Sequence, residues 1–466
     1  MAVLFLDLQK AFDTVDHGIL LQKLSHYGVR GNALKLLKSY LTGRKQRTKV
    51  NGMLSDLASI LWGVPQGSVL GPLLFLIFIN DLPNVSKLTS WLFADDTALA
   101  LSSPNIQEFQ TQFNQEVNQV HDWLLANRLS VHYSKKTQYM LIQGPNLKGR
   151  RISSLNFELH MGVHKIERTD NYKYLGIVID EKLNWKLQIT KLCSKLSSVC
   201  GVISKVRHYL DRSSLLLIYH SLFDSRLRYG ILGWGSASEQ YISKLRVLQN
   251  RTIRFIMFSS FRASAAPLYS SLKILPLDEQ LSLSKKVFMH SLHYKSLPFT
   301  LSMYCQKPEH KYSTRYKTAG NYILPCPTTN RGQRSIKFTG PKVWAEVPKH
   351  LKEIAFRKPF SKKLKDHILG TIFVEMPPKK NRTNYDNQFE QLNLSTLFET
   401  DDENGEFFGF AMTEISEHNS SLELREIFSS TGDEENFPGF DNISNNSDLN
   451  AIFQNESCTD EFFGFL

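Results

Sequence analysis

The chain has 466 residues, 42% of them apolar, and a formal charge of +12, enough length for two or three domains with packed cores. Five widely spaced cysteines with no C-x-x-C argue against a disulfide framework and a cysteine-bound zinc, and for a reducing compartment. The opening MAVLFLDLQK carries an acid at position 7 and no basic segment, unlike a signal peptide, and no apolar run reaches the roughly 18 residues of a membrane span.

In chain order, VLFLDL (3–8) reads as a buried strand, and 18–41 as an amphipathic helix broken near Gly28 and Gly31. RKQRTKV (44–50) alternates basic and polar residues as a solvent-facing strand does, GVPQGSVLGP (63–72) is a Gly/Pro loop, and LLFLIFINDL (73–82) is a buried helix. Residues 88–101 split at Asp95-Asp96 into a hairpin, 105–129 form a polar amphipathic helix, and YKYLGIVID (172–180) is a further strand. From 184 to about 258 the pattern is helical and basic; 260–375 is mixed and broken by prolines; MPPKKNR (376–382) is a linker, and the Asn, Ser, Asp and Glu beyond it predict disorder. Charge divides at the same place. Residues 381–466 hold 19 acids against Arg382 and Arg425, so the tail carries −17 and the first 380 residues +29. A body so basic suits a polyanion such as nucleic acid, and the tail suits a different partner.

WLFADDTALA (91–100) sets two acids inside an apolar run. Unpaired buried carboxylates are costly, and adjacent ones repel. A turn tolerates such a pair, but a cation removes the cost altogether. Asp7 ends the first apolar strand, and Asp95 and Asp96 sit at a hairpin tip. Three carboxylates on strand ends in one sheet can hold two Mg²⁺ (Mn²⁺ in their place), which activate a hydroxyl and steady a departing pyrophosphate.

LDLQKAFDTVDH (6–17), GVPQGSVLGPLLFLIFINDL (63–82) and LFADDT (92–97), in that order, resemble the palm of reverse transcriptases of the non-LTR retrotransposon type, with jockey-like and chicken-repeat-like elements nearest in phrasing. The resemblance continues more loosely through LLANRLSVHYSKKTQYMLI (124–142) and YKYLGIVID, and RGQRSIKFTGPKVWAEVPKHLK (331–352) resembles a segment near the end of such polymerases. It implies an α+β right-hand polymerase: an antiparallel palm sheet with helices over 1–180, a basic helical thumb over 181–260, a C-terminal region of unassigned role over 261–375, and a disordered acidic tail over 376–466. It implies RNA template, DNA primer and deoxynucleoside triphosphates as partners, and nuclear residence after cytoplasmic synthesis. Residue by residue, Asp7, Asp95 and Asp96 match the metal-binding carboxylates, and Lys135 or Lys136 the lysine that protonates pyrophosphate. Phe12 matches the steric gate against a ribose 2′-hydroxyl, with Ala11 beside it leaving room for the nucleotide. Gln66 and Gly67 match the nucleotide-binding loop, and Leu175 and Gly176 the primer grip. Lys182, Lys186, Lys191, Lys195, Lys205 and Arg207, then Arg246, Arg251 and Arg254, are candidates for phosphate contact. The family's fingers and endonuclease lie before the metal-binding strand, so this chain reads as the downstream part of a longer polyprotein, with weak or no polymerase activity alone.

After residue 390 a unit repeats three times: LSTLFETDDENGEFFGF (394–410), LREIFSSTGDEENFPGF (424–440) and LNAIFQNESCTDEFFGF (449–465). Each reads L-x-x-[LI]-F, eight mostly polar residues, then F-x-G-F, at variable separations that suit independent docking motifs. Phe398, Phe407 and Phe410, Phe428, Phe437 and Phe440, and Phe453, Phe462 and Phe465 are the anchors, with acids between them to meet a basic rim. The unit resembles ligands of the integrase-binding domain of lens-epithelium-derived growth factor, which implies a chromatin-tethering or elongation-factor partner. A second role for the whole chain follows, as a retroelement-derived adaptor without catalysis.

Overall fold

Five consecutive apolar residues form strand β1 (Ala2–Leu6), buried along its whole length because protein covers both its faces. The computed structural model describes residues 1–103, 106–133, 136–142, 157–298, 301, 304–308 and 320–374. Two helices follow β1, α1 (His17–His26) and α2 (Gly31–Leu41), parted by Gly28 and Gly31, both at positive φ. An exposed ribbon comes next, built from β2 (Lys45–Gln46), β3 (Lys49–Val50), β4 (Met53–Leu54) and β5 (Ala58–Ser59), with β2 paired to β5 and β3 to β4. The apolar helix α3 (Leu70–Ile79) starts three residues earlier than its leucine run suggests, with Pro72 in its first turn, where a missing N–H costs nothing.

The sheet is completed by β6 (Thr89–Phe93) and β7 (Asp96–Leu101), then, after helix α4 (Ile106–Ala126), by β8 (Gln138–Leu141), β9 (Leu159–Met161) and β10 (His164–Arg168). Its order is β6-β7-β1-β8-β10-β9. The resemblance implies an antiparallel palm sheet; the sheet is mixed, because β10 runs parallel to β8. Alternation along β1 divides two cores. Ala2, Leu4 and Leu6 pack with Leu20, Phe75, Phe78 and Phe113 from α1, α3 and α4. Val3 and Phe5, with Ala98, Ala100 and Met140, face the opposite way, onto a second core.

That second core belongs to the hairpin of β11 (Asn171–Tyr174) and β12 (Ile177–Asp180) and to the helices after it: α5 (Lys186–Val206), α6 (Arg212–Ile218), a π-helical turn (Tyr219–Asp224), α7 (Ser225–Arg228), α8 (Ile231–Trp234), α9 (Glu239–Ile256) and α10 (Ala266–Leu272). Asp180 locks the joint between strand and helix. Its carboxylate, 7% exposed, accepts from the backbone N–H of Lys182, Asn184 and Trp185, and Trp185 Nε1 donates to Ser236 Oγ at 2.9 Å. This core runs on to Leu277, past the boundary near residue 260 read from composition. After α11 (Leu277–His293) and α12 (Asn330–Arg334), which buries no residue, a third core centred on Met289, Trp344 and Phe360 joins α11 to α13 (Ile336–Ala345), α14 (Lys349–Lys352) and α15 (Arg357–Val374). No described helix is long and apolar enough to cross a membrane.

Candidate active site

The pairing of β1 with β7 decides where the acids meet. Leu6 stands opposite Thr97, which brings Asp7 near Asp96. The β6–β7 hairpin pairs Phe93 with Asp96 and turns through Ala94, at φ +53°, and Asp95. Burial raises the proton affinity of Asp96, and the charges of Asp95 and then Asp7 raise it further. The fold thus crowds negative charge at one sheet edge. Lys136 offsets part of it, its Nζ 3.4 Å from Asp7 Oδ2. Of the two lysines left open by sequence, Lys136 stands at the carboxylates; Lys135 lies outside the described residues.

Among the described residues, no group of three or more acids, histidines or cysteines is placed to hold a metal ion by itself. Mg²⁺ does not require one: it characteristically takes one or two carboxylates and completes its shell with water and substrate phosphates. Three neighbouring carboxylates, one of them with its charged form disfavoured by the other two, fit such an ion.

The loop before α3 is clamped to the loop after β1. Val64 N–H donates to Phe12 O and Gly63 N–H to Val15 O, each at 2.8 Å, and a Cβ on Gly63 would lie 2.8 Å from the backbone of Asp13. Gln66 Nε2 donates to Asp13 Oδ1 at 2.8 Å, so Asp13 orients the glutamine. Gly67 is exposed, at φ +78° with open space where a side chain would stand, and its backbone is approachable. Phe12 is half-buried against Phe75, ring centroids 4.6 Å apart. Ala11 is 3% exposed and packs in the core with α1 and α3. Asp13 was within reach of sequence reasoning, since it follows Phe12 in AFDTVDH, but a contact 53 residues along the chain leaves no local mark.

Residues 172–180 are read from sequence as one strand. They form a hairpin instead, and Leu175 and Gly176 are its two-residue turn, at φ +45° and +81°. Positive φ at both central residues matches the twist of tight hairpins, and a leucine there is strained. Packing and a hydrogen bond hold it: Tyr229 Oη donates to Leu175 O at 2.5 Å, with its ring 3.5 Å from where a Cβ on Gly176 would sit. Two tyrosines that sequence reasoning passed over fix the hairpin under the acids. Tyr172 stacks on Phe5 at 4.1 Å and donates to Lys136 O, and Tyr174 Oη donates to the backbone oxygens of Trp91 and Asp96. Burial and then the nearby acids push the Tyr172 phenol up to about 12 and raise that of Tyr174 as well, so both stay protonated donors.

The basic residues part into two groups. Lys182, Lys186, Lys191, Lys195 and Lys205 are exposed. Arg246 is spoken for by Glu239 and Asp278, with which it forms three hydrogen bonds of 2.7–2.8 Å. Arg254 Nε donates to Ala263 O, Arg207 and Arg251 lie over the Phe255 ring, and Arg207 also covers Phe258. Arg246 therefore ties α9 to α11 and Arg254 holds the segment after α9, while Arg251, exposed, lies over a ring of its own helix. The nine anchor phenylalanines of the tail lie outside the described residues.

Residues 1–179 match the family model for reverse transcriptase (RNA-dependent DNA polymerase). The chain is similar to the RNA-directed DNA polymerase from mobile element jockey of Drosophila funebris, at 27% identity over 65% of this chain and 34% of that protein. The jockey polymerase of Drosophila melanogaster is 28% identical over 62% of this chain and 32% of its own length. A probable RNA-directed DNA polymerase from transposon X-element of the same fly is 28% identical over 60% and 31%. The chain spans about a third of the length of these curated relatives.

Proposed function

We propose that this chain, whose residues 1–179 match the reverse-transcriptase family model, supplies the palm and thumb of an RNA-directed DNA polymerase of the non-LTR retrotransposon type. The observation that carries the reading is the pairing of Leu6 with Thr97, which brings Asp7 near Asp96 and Asp95 at the strand ends of a sheet with packed cores on both faces. Asp7, Asp95 and Asp96 would hold two Mg²⁺, which supply the charge that activates a primer 3′-hydroxyl and stabilises departing pyrophosphate. Lys136, resting on Asp7, is placed to give a proton to the pyrophosphate oxygen as its bond to the α-phosphorus breaks. Gln66, oriented by Asp13, and the open backbone at Gly67 face the incoming nucleotide, and Phe12 excludes a ribose 2′-hydroxyl. The Leu175–Gly176 turn supports the primer end, and the exposed lysines before and along α5 take template and primer phosphates without regard to sequence.

Mg²⁺-dependent extension of a DNA primer on an RNA template tests this. We expect Asp95→Ala/Asp96→Ala to reduce extension about a thousandfold or more, the several kcal/mol that metal-assisted chemistry supplies. A folded, template-binding chain whose extension is indifferent to these substitutions would refute the reading.

A further inference from the structure

A cleft lies away from the carboxylates, between the π-helical turn and α7 on one side and α11 and α15 on the other. Its volume is about 490 Å³, within the range of cavities that bury a compact ligand. The floor is aliphatic, with Ile231, Leu232, Leu275, Leu283 and Val287. The rim is cationic: Arg228, Arg357, Lys358, Lys362 and Lys365, the three lysines all exposed. Asp224, the acid in the lining, is engaged within the wall, accepting from Gln280 Nε2 at 3.2 Å, with Arg228 at 3.8 Å. The π turn puts His220 and Asp224 into this wall, and such turns recur at functional sites.

A cationic rim over an aliphatic floor selects its ligand. Single-stranded nucleic acid is held by open basic grooves with aromatic faces on which bases stack. Here the lining offers no exposed Phe, Tyr or Trp face: Phe288 is 4% exposed, and the His220 imidazole is turned to Asp224 at 3.5 Å. An acidic peptide with bulky apolar anchors satisfies both parts, anchors on the floor and carboxylates on the rim. Such a peptide is built into this chain three times. The units at 394–410, 424–440 and 449–465 each set acids between L-x-x-[LI]-F and F-x-G-F, and they follow directly on α15, the helix that supplies most of the rim. From Lys362 to the last residue of α15, Val374, the helix runs about 18 Å. The chain from Val374 to Leu394 can span at most about 70 Å, so the first unit can return to the cleft as a tethered, intramolecular ligand.

We propose that the cleft docks the chain's own acidic tail, one unit at a time, phenylalanines on the floor and acids against the rim. The inference rests on the cleft and the repeats and is independent of the polymerase reading. Docking would cover the cleft's positive charge and keep the tail's phenylalanines from other partners until a competitor displaces them.

The test is carbodiimide cross-linking of the full chain at low micromolar concentration, with the linked peptides mapped by mass spectrometry. The reagent condenses a carboxylate with an amine held against it. Amide links from acids of the three units should concentrate on Lys358, Lys362 and Lys365, within single chains. Substituting alanine at Phe407, Phe410, Phe437, Phe440, Phe462 and Phe465 leaves every charge in place and lies outside the three cores, yet should reduce those links at least fivefold. Links spread over the exposed lysines of the body, links unmoved by the alanines, or links found mainly between chains would each overturn the proposal. So would a Lys358→Glu/Lys362→Glu/Lys365→Glu variant that loses RNA binding when the parent chain shows no tail links, which would make the cleft a nucleic-acid site.

Discussion

Asp96 carries the electrostatic cost of the site. Its carboxyl holds a proton more tightly in the fold than in the unfolded chain, first through burial and then through Asp95 and Asp7. A raised carboxyl contributes stability below its unfolded value near 3.8 and loses it as pH rises through the folded value. Without a cation, ionising Asp96 is therefore at the protein's expense. Asp96→Asn should raise the thermal midpoint of the metal-free chain at pH 7.5 while removing its response to Mg²⁺. The parent chain should gain about 1.4 kcal/mol at a Mg²⁺ concentration tenfold above its Kd, read as an upward shift in the midpoint. A midpoint in the parent that is indifferent to Mg²⁺ would mean that these carboxylates do not hold the ion. Lys136 moderates the same charge from Asp7.

At the scale of elements, short polar devices fix how the large pieces meet. The β11–β12 hairpin passes into the helices after it through β12 and α5, and Asp180 organises that turn by accepting three backbone N–H groups. Trp185, the residue before α5, stands at φ +63° and is fully buried, a conformation that the Asp180 and Ser236 contacts stabilise. Asp180→Ala would leave those donors unpaired, and we expect it to cost about 1–3 kcal/mol. Urea unfolding followed by Trp fluorescence should show this as an earlier loss of the α5 packing. An unchanged midpoint would mean that water replaces the carboxylate without penalty. Tyr229 acts likewise on the β11–β12 turn, holding a strained leucine from a helix 54 residues away.

Across the whole molecule, three cores are stacked along the chain, and the third has its own pH sensitivity. His290 is almost fully buried and donates from Nε2 to Ile354 O, while burial lowers its proton affinity. His293, set against Tyr322 and Trp344, is pushed down to about 4, by burial first and then by Lys307, His290 and Lys352. A depressed histidine contributes stability above its unfolded value of 6.5 and loses it as pH falls toward the folded one. The third core should therefore loosen between pH 6.5 and 4, and His293→Asn should flatten that dependence relative to the parent chain. Equal slopes for the two proteins in thermal melts across that range would contradict it.

Much of the palm was legible because its signals are local. β1, the Asp95-Asp96 hairpin, the break between α1 and α2 and the apolar α3 each follow from a run, a period or a glycine within a dozen residues, and the motif spacing carried the family resemblance. The charge division and the repeated tail unit are likewise properties of the sequence itself. Tertiary structure decided the rest, because it depends on partners far along the chain. The parallel pairing of β8 and β10, the folding back of 171–180 at Leu175–Gly176, and the bond of Gln66 to Asp13 leave no periodic trace. An arginine reads the same whether it faces phosphate or Asp278, and only packing shows that Arg246 is occupied while the lysines of α5 are not buried. The placement of Asp7 against Asp96 lies between these cases: the residues were visible in sequence, and the register of two strands some ninety positions apart brought them together.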